Sequence, residues 1–114
     1  MYRIGALTLY LINDALAYVD PGGVYGLIPK VLWSRHSTPN ADGLLAMHHH
    51  SLYFEADGRK ILIDTGFGRK DNDKARAINN VSRPHGDVLD ALARLGVTPA
   101  QIDLVIDTHL HSDH

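Results

Sequence analysis

The 114-residue chain contains no cysteine. That excludes disulfides and thiolate metal sites, so any metal must be held by nitrogen and oxygen donors. It also has no run of basic residues, and its formal net charge is −2 with both signs interspersed. Nucleic acid and anionic membrane surfaces are therefore not expected partners. No segment approaches the ~20 consecutive apolar residues of a membrane span. Leu7 to Ala17 comes nearest, and Thr8, Asn13 and Asp14 interrupt it. The first residues lack the long apolar core and small-residue cleavage site of a signal peptide. There is no internal repeat and no low-complexity tract. A soluble cytoplasmic protein is the expectation.

What remains is the composition of one small globular domain, 45% hydrophobic and 21% charged, able to bury a modest core. Ile4 to Ile12 is strand-prone. Asp20-Pro21-Gly22-Gly23 reads as a turn, and Ser34 to Gly43, rich in Ser, Pro, Asn and Asp, as a loop. The clearest local signal is a hairpin. Leu52, Phe54 and Ala56 alternate with Tyr53 and Glu55, as in a strand with one buried face. Asp57-Gly58 is the preferred pair for a tight type I′ turn, and Lys60-Ile61-Leu62-Ile63 returns as a second strand. That strand ends at Asp64-Thr65-Gly66, delivering a polar residue to the sheet edge where α/β sites are usually built.

Gly68 to Val81 is polar and reads as a surface loop or a short helix. Downstream, the spacing of Val88, Leu89, Leu92 and Leu95 predicts a helix. Ser82 is its expected cap, Pro84 lies in its first turn, Asp90 and Arg94 form an i,i+4 pair, and Gly96 is the stop. Thr98-Pro99-Ala100-Gln101 looks like a capping box on one short turn. Leu104-Val105-Ile106 reads as a buried strand.

The last seven residues carry the chemistry. Thr108-His109-Leu110-His111-Ser112-Asp113-His114 is His-x-His-x-Asp-His, four metal-capable side chains in six positions directly after an apolar strand. In an extended stretch His109 and His111 point the same way. Asp113 and His114 follow the turn and can face a neighbouring point. Imidazole and carboxylate suit Zn²⁺, and also Fe, Mn or Co. Two metals ~3.5–4 Å apart can share a hydroxide and polarise a substrate oxygen together. The pattern points to a metal-dependent hydrolase.

At these residues the chain resembles the metallo-β-lactamase superfamily. Thr108 to His114 matches that family's signature at each defining position, and Ile61-Leu62-Ile63-Asp64-Thr65-Gly66 is similar to its earlier strand motif. Upstream, Gly22 to Lys30 with Trp33 resembles the branch of acyl-homoserine lactonases and organophosphate-ester hydrolases. The resemblance implies an α/β (α+β) class. More specifically, it implies the N-terminal half of an αβ/βα sandwich, a mostly mixed or antiparallel sheet with a covering helix. It implies two zinc ions in the complete domain, His109 and His111 on the first, Asp113 and His114 on the second. Asp113 would also orient the nucleophile or shuttle a proton. Asp64 would hold the ligand loop by hydrogen bonds, or serve as a strand-end cap, two roles that are not exclusive.

The family's complete site needs a third His for the first metal, a bridging Asp and a final His for the second. The expectation is therefore a single partial domain over residues 1–114, cut after the first metal-binding motif and inactive without the missing C-terminal half. The implied activity is hydrolysis of a small-molecule ester or lactone by a metal-bound hydroxide. The alternatives are a glyoxalase II-like thioesterase, a nuclease, a di-iron redox domain or a non-catalytic member. Metal identity and oligomeric state stay open.

Other residues carry less. His48-His49-His50 reads as an exposed strand start, with His48 and His50 on one face. Tyr25 and Trp33 suit a satellite apolar cluster or a substrate entrance.

Overall fold

A computed structural model of the protein describes residues 1–70, 73, 74, 80–111 and 114. The described residues form one twisted sheet with a helix against one face. β1 (Tyr2–Ile4) turns at Gly5 into β2 (Leu7–Val19), and the two pair antiparallel. Two short helices follow, α1 (Pro21–Tyr25) and α2 (Lys30–Trp33). β3 (Leu45–Ala56) runs antiparallel to β2 along most of its length, and β4 (Arg59–Ile63) folds back on β3. The two-residue β5 (Val81–Ser82) pairs with β2. α3 (Val88–Arg94), a 3₁₀ turn (Pro99–Gln101) and β6 (Leu104–Ile106) complete the order. β6 lies parallel to β4, so the sheet reads β1-β2-β3-β4-β6 with β5 beside β2. No helix is long and apolar enough to cross a membrane among the described residues.

The β3–β4 hairpin forms as its turn residues predict. Asp57 has φ +50° and Gly58 +73°, the left-handed pair that matches the twist of the two strands. α3 likewise ends where Gly96 predicts. Gly96 has φ +73°, its N–H donates to Ala93 O, and the Val97 N–H donates to Leu92 O at 3.0 Å. This is a Schellman ending. Val97 and Leu92 meet in the same core cluster, which is the apolar contact that usually accompanies it. At Thr98 the N–H donates to Gln101 Oε1 at 2.9 Å, the expected capping box.

Other elements depart from expectation. Asp20-Pro21-Gly22-Gly23 is not a free turn but the start of α1: Asp20 accepts from the Gly22 N–H at 2.7 Å, and Pro21 fills the first helical position. α3 starts later than expected. Ser82 is in β5, Gly86 at φ +81° breaks the path, and the cap is Asp87 in a reciprocal capping box with Asp90. Asp90 is thereby drawn to Asp87 and Arg69 rather than to Arg94. Leu104, Val105 and Ile106 form a strand, but among the described residues it pairs on a single side, and it is about half exposed. Part of the polar stretch from Gly68 to Val81 lies outside the described residues.

The core lies between α3 and one face of the sheet. Ile12, Tyr53 and Leu62 meet Val88, Ala91, Leu92 and Val97, with Tyr10 and Ile102 at the margin. In β3, Tyr53 and Ser51 are fully buried on one face, while Leu52 and Phe54 on the opposite face are half-buried. The alternation is as the sequence predicts, yet the aromatic with the polar tip takes the helix side. Its hydroxyl reaches the rim and donates to Glu55 at 2.6 Å. Tyr25 and Trp33 stack in parallel with ring centres 5.3 Å apart, a small cluster of their own.

β2 contains a bulge. Asn13 pairs with His50 and Ala15 with His49, so Asp14 is left without a partner on β3. Ile12 and Asp14 are buried before the bulge, Ala15 and Ala17 after it.

Candidate metal centre

β4 and β6 are parallel neighbours, so both deliver their C-terminal ends to the same edge of the sheet. Asp64 follows β4 directly. Its backbone N–H donates to Ile106 O at 2.9 Å, continuing the ladder by one rung. Its φ is +59°, a conformation that Asp tolerates better than most side chains. That turn aims the carboxylate across the sheet at the segment after β6. Oδ1 accepts from the Thr108 N–H at 2.8 Å, and the Thr108 hydroxyl lies 2.8 and 3.0 Å from the two carboxylate oxygens. His114 Nδ1 lies 3.3 Å from Oδ2. Burial by itself would raise the Asp64 carboxyl, but the bonds from Thr108 and His114 outweigh it and hold it below its ordinary value.

The imidazoles come together. The rings of His109 and His111 meet edge to face with centres 4.6 Å apart, and those of His109 and His114 are 4.0 Å apart. His109 and His111 are exposed, while His114 is half-buried. The His114 backbone N–H donates to His111 O at 3.1 Å, and its carbonyl accepts from the Thr65 hydroxyl at 3.3 Å. Asp113 lies outside the described residues.

These contacts set the tautomers of two of the rings. A carboxylate only accepts, so His114 Nδ1 must be the donor and Nε2 keeps its lone pair in the neutral ring. The Thr108 hydroxyl has one proton and gives it to Asp64. Its 3.0 Å contact with His109 Nδ1 therefore makes that nitrogen the donor too, so the lone pair of the neutral ring is on Nε2. Neutral imidazoles held by a carboxylate or hydroxyl at Nδ1, with the lone pair on Nε2, suit a zinc-type ion. Among the described residues, no three His, Asp or Glu side chains form a ready ligand set around one point. The donor chemistry fits a metal, and the set is incomplete without further ligands.

Behind this edge lies a carboxylate whose role the sequence did not disclose. Asp14, at the bulge, is 1% exposed. Its Oδ2 accepts from the Phe67 N–H at 2.9 Å and its Oδ1 from the Val88 N–H at 3.3 Å. Arg83 approaches it at 3.7 Å and donates to Gly68 O at 2.6 Å. The one hint in the sequence was a polar pair, Asn13-Asp14, inside an apolar strand run, a pattern consistent with a bulge. His48 and His50, exposed on β3, stack with centres 5.7 Å apart, and His48 Nδ1 lies 2.6 Å from Asn13.

Residues 44–114 match the family model of the metallo-beta-lactamase superfamily. The solved structure of a probable metal-dependent hydrolase from Staphylococcus aureus superposes with a TM-score of 0.89 at 27% identity, over 99% of this chain and 41% of that one. The hydrolase AbOPH of the beta lactamase superfamily gives 0.74 at 22% identity, over 99% and 36%. AidC, a dizinc quorum-quenching lactonase in complex with N-hexanoyl-L-homoserine, gives 0.68 at 22% identity, over 99% and 36%. The chain thus spans less than half the length of these structures. Its sheet, its helix and the edge bearing Asp64 and the histidines lie within the shared part, and this chain belongs to the metallo-β-lactamase superfamily.

Proposed function

We propose that the chain supplies the N-terminal share of the metal centre of a metallo-hydrolase that opens a small lactone or cleaves a carboxylic ester. His109 and His111 hold one ion through Nε2. Asp113 and His114 hold a second, and Asp64 fixes the loop that presents them. Zinc is the expected ion, since the donors are imidazole and carboxylate without thiolate. When bound, such ions supply Lewis acidity and acidify water to near neutral pH. By its place in the motif, Asp113 orients the attacking water or moves a proton to the leaving oxygen. The remaining ligands come from chain beyond these residues, in keeping with the 41% and 36% shares of the solved structures. The 114 residues alone are then a partial domain without activity.

The observation that carries this reading is Asp64 bound at once to Thr108 and His114, with the Thr108 hydroxyl also meeting His109 Nδ1. The substrate class is supported by the lactonases of this fold that hold N-hexanoyl-L-homoserine.

The test uses the full protein that carries this chain. Bound metal is measured, and acid release is followed with N-hexanoyl-L-homoserine lactone, a thioester and a phosphotriester, before and after chelation. Lactone opening that is lost with the metal, restored by zinc and abolished in His109→Ala is expected. Hydrolysis that survives complete chelation, or metal at background level, overturns the proposal. A preference for the thioester redirects it to a glyoxalase II-like enzyme, and bound iron with oxygen consumption to a redox member.

A further inference from the structure

The geometry points to Asp14 as a positioning residue: from the bulge of β2 it fixes segment 64–68, and through that segment the loop bearing His109 and His114. The link to metal rests on the reading above.

A carboxylate that is 1% exposed loses hydration worth several kcal/mol, so its position must be compensated by specific partners. The partners here belong to two separate elements. Phe67 lies 53 residues away and Val88 lies 74 away. Both carboxylate oxygens receive a backbone N–H, which fixes the direction of the group as well as its depth. The approach is also close. Gly66 has φ +72°, and a Cβ there would sit 2.3 Å from Asp14 Cγ. Glycine at this position thus lets the chain after β4 lie directly on the Asp14 side chain. Arg83 holds the other end of the same segment through Gly68 O.

Two residues before Gly66 is Asp64, which bonds Thr108 and His114, and Thr65 bonds the His114 carbonyl. Asp14 therefore sits one short segment behind the imidazole cluster. Loosening its grip on Phe67 frees Gly66 and Thr65, and with them the φ +59° turn that aims Asp64.

Asp14→Asn tests this. The amide keeps the shape but has one acceptor, so one of the two N–H groups must face an N–H. Two measurements are made on the full protein. Hydrogen exchange of the Asp64–Gly68 amides is followed on metal-free protein, and zinc affinity is read by chelator competition. Val97→Ala, a core truncation away from the loop, serves as the stability control. If Asp14 positions the loop, exchange over 64–68 rises at least about tenfold in Asp14→Asn beyond any rise in Val97→Ala. Zinc affinity falls about tenfold or more, as for other residues that orient ligands. Unchanged relative exchange over 64–68, or zinc affinity no lower than in Val97→Ala, overturns the inference. If Asp14→Asn does not fold, Gly66→Ala displaces the same carboxylate and must show the same two effects. Wild-type protein that binds no zinc defeats the metal reading instead, and the metal-free exchange comparison still decides whether Asp14 holds the segment.

Discussion

The carboxylate of Asp64 accepts the backbone N–H of Thr108 at 2.8 Å, across 44 residues of chain. This one bond ties the end of β4 to the start of the histidine loop. It is also the point where the fold and the proposed chemistry meet, because the same carboxylate reaches His114.

Asp64→Asn is therefore expected to weaken metal binding by about 10- to 100-fold in the full protein while the fold survives. The amide retains one acceptor for the two Thr108 donors and places an NH₂ toward His114 Nδ1 or toward Thr108. Chelator competition, with circular dichroism as the check on folding, measures this. Metal affinity equal to wild type would sink the assignment of Asp64 to the loop.

Gly58 and Gly66 make a matched pair. Their φ values are +73° and +72°, so replacement by Ala costs each about 1–2 kcal/mol of backbone strain. Nothing lies within 4 Å of a Cβ at Gly58, whereas at Gly66 the Asp14 side chain lies within 2.6 Å. Gly66→Ala should be the more destabilising by roughly 1–3 kcal/mol, in line with overpacking elsewhere. Urea midpoints of the two variants give the comparison, and equal midpoints count against the contact.

The Asp87 carboxyl titrates at about 2. Hydrogen bonding from Arg69 is the main cause. Burial acts against it, and the Asp90 N–H adds to the lowering. The native value lies below the unfolded one of ~3.9. The unfolded chain thus binds more protons in between, and the stabilisation present above about pH 4 is lost as pH falls toward 2. Arg69→Leu should be less stable than wild type at pH 6, with the gap closing between pH 4 and 2. A gap that stays constant down to pH 2 refutes the pairing.

Leu92 is 1% exposed at the centre of the α3 contact. Leu92→Ala should lower stability by about 2–5 kcal/mol, the range for large-to-small core changes. Because Leu92 is remote from the Asp64–Thr108 link, zinc affinity measured where the variant is folded should not change.

Features legible in the sequence were those settled by neighbours along the chain. Asp57-Gly58, Gly96 and the Thr98–Gln101 box needed only local backbone geometry, and each formed as expected. The ring contacts among His109, His111 and His114 are likewise local, all within six residues. The start of α3 differs from the Ser82 cap expected, because that residue is taken up in β5 and the cap is Asp87. Asp87 prevails through Asp90 and through Arg69, 18 residues upstream. The burial of Tyr53 over Leu52 and Phe54 depended on which face of β3 receives the helix, a tertiary choice that alternation leaves open. Asp14 was least legible, because each of its partners is more than 50 residues away.

The bulge has a further consequence for how this strand tolerates length changes. Before it, even-numbered positions face the helix; after it, odd-numbered ones do, with Ile12 buried on one side of the change and Ala15 and Ala17 on the other. The spare residue works like a frameshift in side-chain direction. Loss of a single codon at Asn13 or Asp14 would restore a continuous ladder with Ile12 and Ala17, then four positions apart, still on one face, but the buried carboxylate at the bulge would be lost. For most of a protein, indels are absorbed by loops. Here one strand carries its own compensating insertion, and that same insertion places a carboxylate under the histidine loop.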